Sequence, residues 1–416
     1  MVREELHLPA GDVATDLEEG FDTTAPALVT VRLHDVAKIY GESLMSADDM
    51  IHGTTLYVVR AGSRSRMVPT IWGLTEGRGL SPAFFVCQGT VYSDAMRQGA
   101  CGVGLDPDPD AVVAYHLARD GSDNQLPDAM LATRLAAEVA SQAVSWDAAM
   151  QLAHTDTTRL LLIDLHCGTR VGFRQYIDDN KAYASSWGSL QRNLDTLVSA
   201  AGTARAKIKV DKSGFQARGF RTLLPLKCGI DEIRYAEVRP TLGLPLDSAR
   251  KLADLLRRCE NIGRQSIASM VSALTQLHFP ITVMVRAYKL RVIPKMSTGA
   301  VFLILRPDWT PRFDAVQDHC LKTILRIYKP IPRVLLQRKL GVEWRLSTRI
   351  RLAAIMLHAR LQLLPSDSPA RRVFEVAAQH FTTWAAAAAA ESAALGLVNI
   401  SDWVGHRQVS TPTAAK

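Results

Sequence analysis

Two short strand-like runs that meet at adjacent carboxylates constrain this chain more than any other feature. In "VGFRQYIDDNKAYASSWGSLQRNLDTLVSAAG" the run reads as two strands turning at Asp178 and Asp179, then as a helix. Leu190, Leu194, Leu197, Val198 and Ala201 fall at i, i+4, i+7, i+8 and i+11, one packed face, with Ser186 or Ser189 as cap and Gly202 as end. A hairpin followed by a one-faced helix points to an α+β core. Adjacent carboxylates at a turn repel and raise each other's pKa unless something pairs with them. A solvated acidic turn is one answer. A divalent metal is the other, because two such side chains and a third from a neighbouring strand make a hard-oxygen site for phosphoryl transfer.

The rest of the first 250 residues alternates strands with helices. "ALVTVRLHDVAKIYGESL" reads as strand to helix, "TTLYVVRAG" as a strand, and "IWGLTEGRGLSPAFFVC" as a glycine-rich loop entering an apolar helix. "AMLATRLAAEVASQAVSWDAAMQLA" reads as one alanine-rich amphipathic helix and "RLLLIDLHCG" as a buried strand ending near Asp164, a rival candidate ligand. "AKIKV" reads as a strand, and "VRPTLGLPLD" as a strand with a turn. From about Arg250 the pattern is helical to the end.

Charge divides the chain in the same place. The 416 residues carry +8 overall, but Arg250 to Arg372 holds 23 Lys/Arg against 7 Asp/Glu, leaving −8 elsewhere. A basic helical segment is a natural partner for a polyanion such as nucleic acid, or else a solvated face. Six widely spaced cysteines form no CxxC pair, so reduced thiols and an intracellular location, nuclear or cytoplasmic and not secreted, are expected. The alanine-rich stretch from Thr382 contains Glu391 and reads as a helix, not a membrane span, so no membrane partner is expected.

The order of these features resembles the reverse transcriptases of non-LTR (LINE-type) retrotransposons. "VATDLEEGFDTTAP" is similar to the family's motif A, with Asp16 as metal ligand and Phe21 as the bulky residue beside the sugar 2′ position. "GLTEGRGLSPAFF" is similar to motif B, matching at Gly73, Gly77, Leu80, Ser81, Pro82 and Phe85. Tyr176, Asp178 and Asp179 stand at the catalytic hairpin, Lys212 at the motif D lysine, and "LGLPLD" at motif E. The resemblance implies a polymerase palm, an antiparallel sheet with packed helices, over 1–248 with an insertion at about 100–160. A helical, basic thumb and following region over 249–375 and an alanine-rich helix and tail over 376–416 complete it.

It further implies RNA-directed DNA polymerase activity, with two Mg²⁺ (Mn²⁺ as substitute) on Asp16, Asp178 and Asp179, and Lys212 at the leaving pyrophosphate. Phe21, Gly77, Ser81 and Tyr176 would contact the deoxynucleoside triphosphate. Arg286, Lys289, Arg291 and Lys295 would track the RNA template and DNA primer, and other element-encoded chains are candidate partners. The match begins at motif A, so the fingers region is expected to be missing; Glu76 replaces the motif B glutamine, and no endonuclease signature is present. These departures define the alternative, a catalytically silent remnant that only binds nucleic acid. A viral-type RNA-dependent RNA polymerase is disfavoured by Tyr176 and by the resemblance of the helical segment.

Overall fold

The computed structural model describes residues 6–18, 26–35, 81–99, 101–176, 179–241, 244–247 and 252–394 apart from 307, 328, 343 and 381. It also describes four two-residue strands between 55 and 69 and the single residues Arg3, Lys38 and Met45. The chain divides into two compact units, Leu6–Ala236 and Glu237–Lys416 with Met1–Glu5.

The first unit runs β1 (Ala10–Thr15), β2 (Leu17–Glu18), α1 (Pro26–Asp35), the short strands β3 to β6 (Thr55–Leu56, Val59–Arg60, Ser63–Arg64, Val68–Pro69) and α2 (Ser81–Gly99). Next come β7 (Val103–Gly104), α3 (Pro109–Ala118), α4 (Ala129–Ala140), α5 (Trp146–Leu152) and α6 (Asp156–His166). It continues with β8 (Arg170–Val171), β9 (Phe173–Tyr176), β10 (Asp179–Ala184), α7 (Trp187–Thr203) and β11 (Lys207–Ile208). A 3₁₀ turn (Val210–Lys212), β12 (Gly214–Arg218), β13 (Leu226–Cys228) and β14 (Asp231–Ile233) complete it. The main sheet is antiparallel, in the order β12-β1-β10-β9.

One face of that sheet is the core face. Val13, Ala182, Ala184 and Phe215 are buried beneath Leu190, Leu194 and Leu197 of α7, with Tyr92 and Met96 of α2 alongside. The expected stripe on α7 is buried except for Val198, which packs partly buried at its edge. Ser186 is the cap, its Oγ accepting from the Ser189 amide at 3.1 Å. Ser186→Ala is therefore expected to cost about 1 kcal/mol, read as a lower urea midpoint at unchanged slope. An unmoved midpoint would mean that the cap adds nothing to α7. The helix runs past Gly202 to Thr203, and Arg205 takes the left-handed conformation that ends it.

Helices α3 to α6 form a second core around Ala111, Leu135, Met150, Leu160 and Ile163. Two expectations fail here. The alanine-rich stretch is two helices, broken where Gln142 adopts φ +60° and Ser145 caps the second one. "RLLLIDLHC" is the helix α6 and not a strand, since Thr155 caps it and it is buried almost all round. A helix buried all round shows no amphipathic stripe, so its sequence is easily mistaken for a core strand. The apolar start of "ALVTVRLHD" likewise goes directly into helix, with Pro26 in its first position.

The two cores are tied by polar side chains. Asn193 of α7 is buried and bonds the amide and carbonyl of Cys101 and the carbonyl of Tyr183. Asp123 lies in the loop between α3 and α4, where its carbonyl accepts from the Gly188 amide and from Thr157 Oγ1. Its carboxylate accepts from the Arg221 amide and the Thr222 hydroxyl. Gly188 must be glycine, because a Cβ there would lie 1.6 Å from the Gln125 carbonyl oxygen.

The second unit begins with the hairpin β15 (Val238–Thr241) and β16 (Leu244–Asp247), so its boundary falls before the expected 248/249. Helices α8 (Ala253–Gln276), α9 (Ile281–Ala287), a π turn (Tyr288–Val292) and α10 (Ile293–Ser297) follow. A 3₁₀ segment (Ala300–Leu305), α11 (Trp309–Leu325), α12 (Arg333–Leu340), α13 (Leu346–Gln362), α14 (Pro369–Ala378) and α15 (Trp384–Ala394) complete the unit. Tyr288, Phe313, Leu321 and Ile324 are in its core. Helix α15 packs into the same unit and is not a separate element, with Trp384 Nε1 donating to the Val301 carbonyl at 2.8 Å. No helix among the described residues is long and apolar enough to cross a membrane. The whole is α+β, with the strands concentrated in the first unit.

Candidate active site

The face of the main sheet turned away from α7 carries the candidate site residues. Along β1 the residues Val13 and Thr15 point to the core, which turns Asp12 and Ala14 to the other face, and Asp16 continues that alternation. Along β10 the burial alternates likewise, with Asn180, Ala182 and Ala184 inward and Asp179, Lys181 and Tyr183 outward.

The register joins the two sets. Asp12 pairs with Tyr183, Ala14 with Lys181 and Thr15 with Asn180, where the ladder ends, one step short of Asp16 and Asp179. Asp179 opens β10 and pairs on its other side with Tyr176, the last residue of β9. Strand register thus leads Asp16 towards the end of the acidic hairpin from more than half of the first unit's length away. The rival, Asp164, is elsewhere: buried on α6, it accepts hydrogen bonds from the Gly104 amide and the Ser185 hydroxyl, a structural role that leaves no open side for a metal.

Lys212 comes to the same place from the 3₁₀ turn. Its Nζ lies 3.7 Å from Asp16 Oδ2, at the long end of an ion pair, and its side chain is 60% exposed. The backbone around Asp16 is held more firmly, with its carbonyl accepting from the Lys209 amide at 2.8 Å and its amide donating to Ser213 Oγ at 3.4 Å. The β2–β11 pair continues this link one residue further. Asp16 is thus fixed by its backbone, while its carboxylate meets the long, exposed Lys212 side chain.

Three further residues on this face were not singled out from the sequence. Lys181 Nζ pairs with Asp12 Oδ2 at 3.1 Å and stands 5.7 Å from the centre of the Tyr183 ring. Burial pushes the Tyr183 phenol up to about 12, Asp12 adds to the rise, and Arg174 opposes it. The signal was present as alternation: Asp12 and Asp16 are four apart on one strand, and Lys181 and Tyr183 two apart on its neighbour.

Asp16 and Asp179 offer the hard anionic oxygens that Mg²⁺ or Mn²⁺ takes, and the long Lys212 contact is weak enough for a cation to replace. Among the described residues no group of three His, Cys, Asp or Glu is close enough to hold a metal. Asp178, Phe21, Glu76 and Gly77 lie outside the described residues, as do the side chains of Ser81, where α2 begins, and Tyr176.

In the second unit Arg286, Lys289, Arg291 and Lys295 are all exposed, on α9, the π turn and α10. Several carboxylates of that unit are engaged elsewhere: Arg306 with Asp308, Arg312 with Glu260, and Arg333 with Asp314 and Asp318. None of the four cations pairs with a carboxylate among the described residues. No protein-family model matches the chain, and no curated protein matches it significantly.

Proposed function

We propose that the chain is the palm and thumb portion of a non-LTR retrotransposon reverse transcriptase, an RNA-directed DNA polymerase that extends a DNA primer on an RNA template. One observation carries the reading: the ladder that runs from Gly11–Ala184 to Thr15–Asn180 ends one step short of Asp16 and Asp179, so β1 and β10 lead towards each other the two carboxylates that the motif resemblance assigns to one centre. In the sheet order β12-β1-β10-β9, α7 and α2 pack on one face, and Asp16 and Asp179 lie at one end of the strands.

In this reading Asp16, Asp178 and Asp179 hold the metal ions. Two bound Mg²⁺ would lower the pKa of the primer 3′-hydroxyl and offset charge on the departing pyrophosphate. The chain's own residues do the rest. The backbone bonds of Asp16 to Lys209 and Ser213 fix its carboxylate before substrate arrives, so little reorganisation is needed at the moment of reaction. Lys212, reaching from the 3₁₀ turn, would neutralise or protonate the leaving pyrophosphate. The Lys181–Asp12 pair leaves the neighbouring position without net charge. Phe21 would exclude ribonucleotides by bulk, while Gly77 and Ser81 would let backbone approach the nascent base pair beside Tyr176. Arg286, Lys289, Arg291 and Lys295 would contact template and primer phosphates.

The test is primer extension on an RNA template. Deoxynucleotide incorporation is expected in Mg²⁺ or Mn²⁺ and is expected to vanish with EDTA. A folded chain that incorporates nothing with either ion would reject the polymerase reading. Salt-sensitive association without extension would then identify the nucleic-acid-binding remnant, which the exposed cations of the second unit, without a carboxylate partner among the described residues, favour.

A further inference from the structure

A cavity of about 430 Å³ opens within the helical unit, lined by side chains from the π turn, α10, α11, the loop after α12, and α13. Its size is within the range of small-molecule sites, about 300–1,000 Å³. Lys289 and Arg349 stand on its wall with Trp344, and Ile293, Val342 and Leu352 supply apolar lining. Two cations, one large aromatic face and an apolar wall describe what a base with its phosphate requires.

Three features make this a built site. Gln317, buried on α11, clamps the loop at both ends: its Nε2 donates to the Trp344 carbonyl at 3.1 Å, and its Oε1 accepts from the Leu346 amide at 2.9 Å. The loop backbone is therefore held while Trp344 stays 51% exposed. A backbone already fixed has less freedom left to lose when a ring stacks on its exposed aromatic.

The second feature is the π turn, whose wide coil buries Tyr288 and Val292 and turns Lys289, Leu290 and Arg291 outward in succession. Such turns frequently occur at functional sites. Lys289 Nζ donates to the Gly341 carbonyl at 2.8 Å, which fixes the ammonium at the rim and leaves it further protons to donate. The third feature is charge. Neither Lys289 nor Arg349 pairs with a carboxylate among the described residues, and the nearest acidic pair on α11, Asp314 and Asp318, is committed to Arg333. Arg349 also faces the buried Tyr288, whose phenol burial raises and the guanidinium lowers.

We propose that this cavity takes one unpaired nucleotide of a single strand, its base stacked on Trp344 and its phosphate held by Lys289 and Arg349. The proposal rests on reading the helical unit as a nucleic-acid surface, but not on polymerase activity. Stacking on an aromatic face is tolerant of sequence, so the site would hold any base.

The test uses the full chain and fluorescence anisotropy with two labelled probes: a short oligo(dA), and an abasic sugar-phosphate strand of equal length. Trp344→Ala is expected to weaken oligo(dA) binding roughly tenfold and to leave the abasic strand unchanged. Trp344→Phe should retain most of the binding, and Arg349→Gln should weaken both probes. An unchanged melting temperature for the exposed Trp344 variants shows that the fold is intact. If the wild-type chain binds both probes equally and Trp344→Ala changes neither, the cavity assignment fails while the nucleic-acid reading stands. If it binds neither, both fail. Adenosine monophosphate competing as well as the strand would overturn the assignment to a strand and show a free-nucleotide site.

Discussion

On the proposed polymerase reading, Asp16→Asn and Asp178→Ala are each expected to lower primer extension by roughly 10³-fold or more, and Asp16→Asn to leave the unfolding midpoint nearly unchanged. A metal ligand lost from a two-metal site removes several kcal/mol of transition-state stabilisation, and about 4 kcal/mol is a thousandfold in rate. The fold gives the opposite expectation for stability. The Asp16 carboxylate meets Lys212 at 3.7 Å, and that lysine is mostly exposed, so the pair is worth about 0–1 kcal/mol. Its backbone bonds to Lys209 and Ser213 survive the change to asparagine. The separation between a large kinetic loss and a small stability loss is the signature of a ligand. Extension by either variant within tenfold of the wild type would remove that residue from the centre.

Asp156→Ala is expected to do the reverse, costing about 3–5 kcal/mol of stability through a residue remote from the chemistry. Asp156 is 2% exposed at the start of α6, and its two oxygens accept from the Asp120 amide at 2.8 Å and the Gly121 amide at 2.6 Å. Its Oδ1 also lies 3.0 Å from Arg159 Nη1, a guanidinium that is itself buried. Alanine would strand that charge with only Asp120 and the Met150 carbonyl, and would leave two amides unsatisfied. Burial pushes the Asp120 carboxyl up, but the bonds from Ser122 and from Arg159 outweigh it and hold the group below its ordinary value. For a unit of this size the loss corresponds to a melting temperature lower by roughly 10 °C. A change below about 1 kcal/mol would show that Arg159 finds other partners and that the carboxylate is dispensable.

The two halves of the α+β reading were legible for different reasons. The hairpin and the stripe on α7 were legible because one face of each is buried, which imposes periods of 2 and 3.6 on residues such as Ala182, Ala184, Leu190 and Leu194. Helix α6 was not, because burial all round erases the period. The break at Gln142 was not, because alanine-rich flanks favour helix and only a left-handed residue and the Ser145 cap stop it. Of the candidate site, Asp16, Asp179 and Lys212 could be named from motif order, yet their nearness is a matter of strand register that no local pattern records. Asp12 and Lys181 went unnoticed for the same reason, since each is an ordinary charged residue until the ladder sets them side by side. The Trp344 loop is fixed by Gln317, twenty-seven residues earlier, and its sequence carries no mark of that clamp.

Asp123 has a consequence for the order of folding. Its four bonds reach Thr157, Gly188, Arg221 and Thr222, the first 34 residues away and the last 99. Loop-closure entropy must be overcome before contacts of that span return anything, so the joint closes after α6 and α7 have formed locally. Once closed it couples the segment 101–166 to the main sheet, and neither can open without breaking the other's hydrogen bonds. Amide exchange across the first unit is therefore expected to proceed through one shared opening, with β1 and β10 protected to the same depth as α6. Residues near 100–160 behave as a keystone of the sheet's cooperativity, which makes them poor candidates for deletion when a smaller version of this unit is sought.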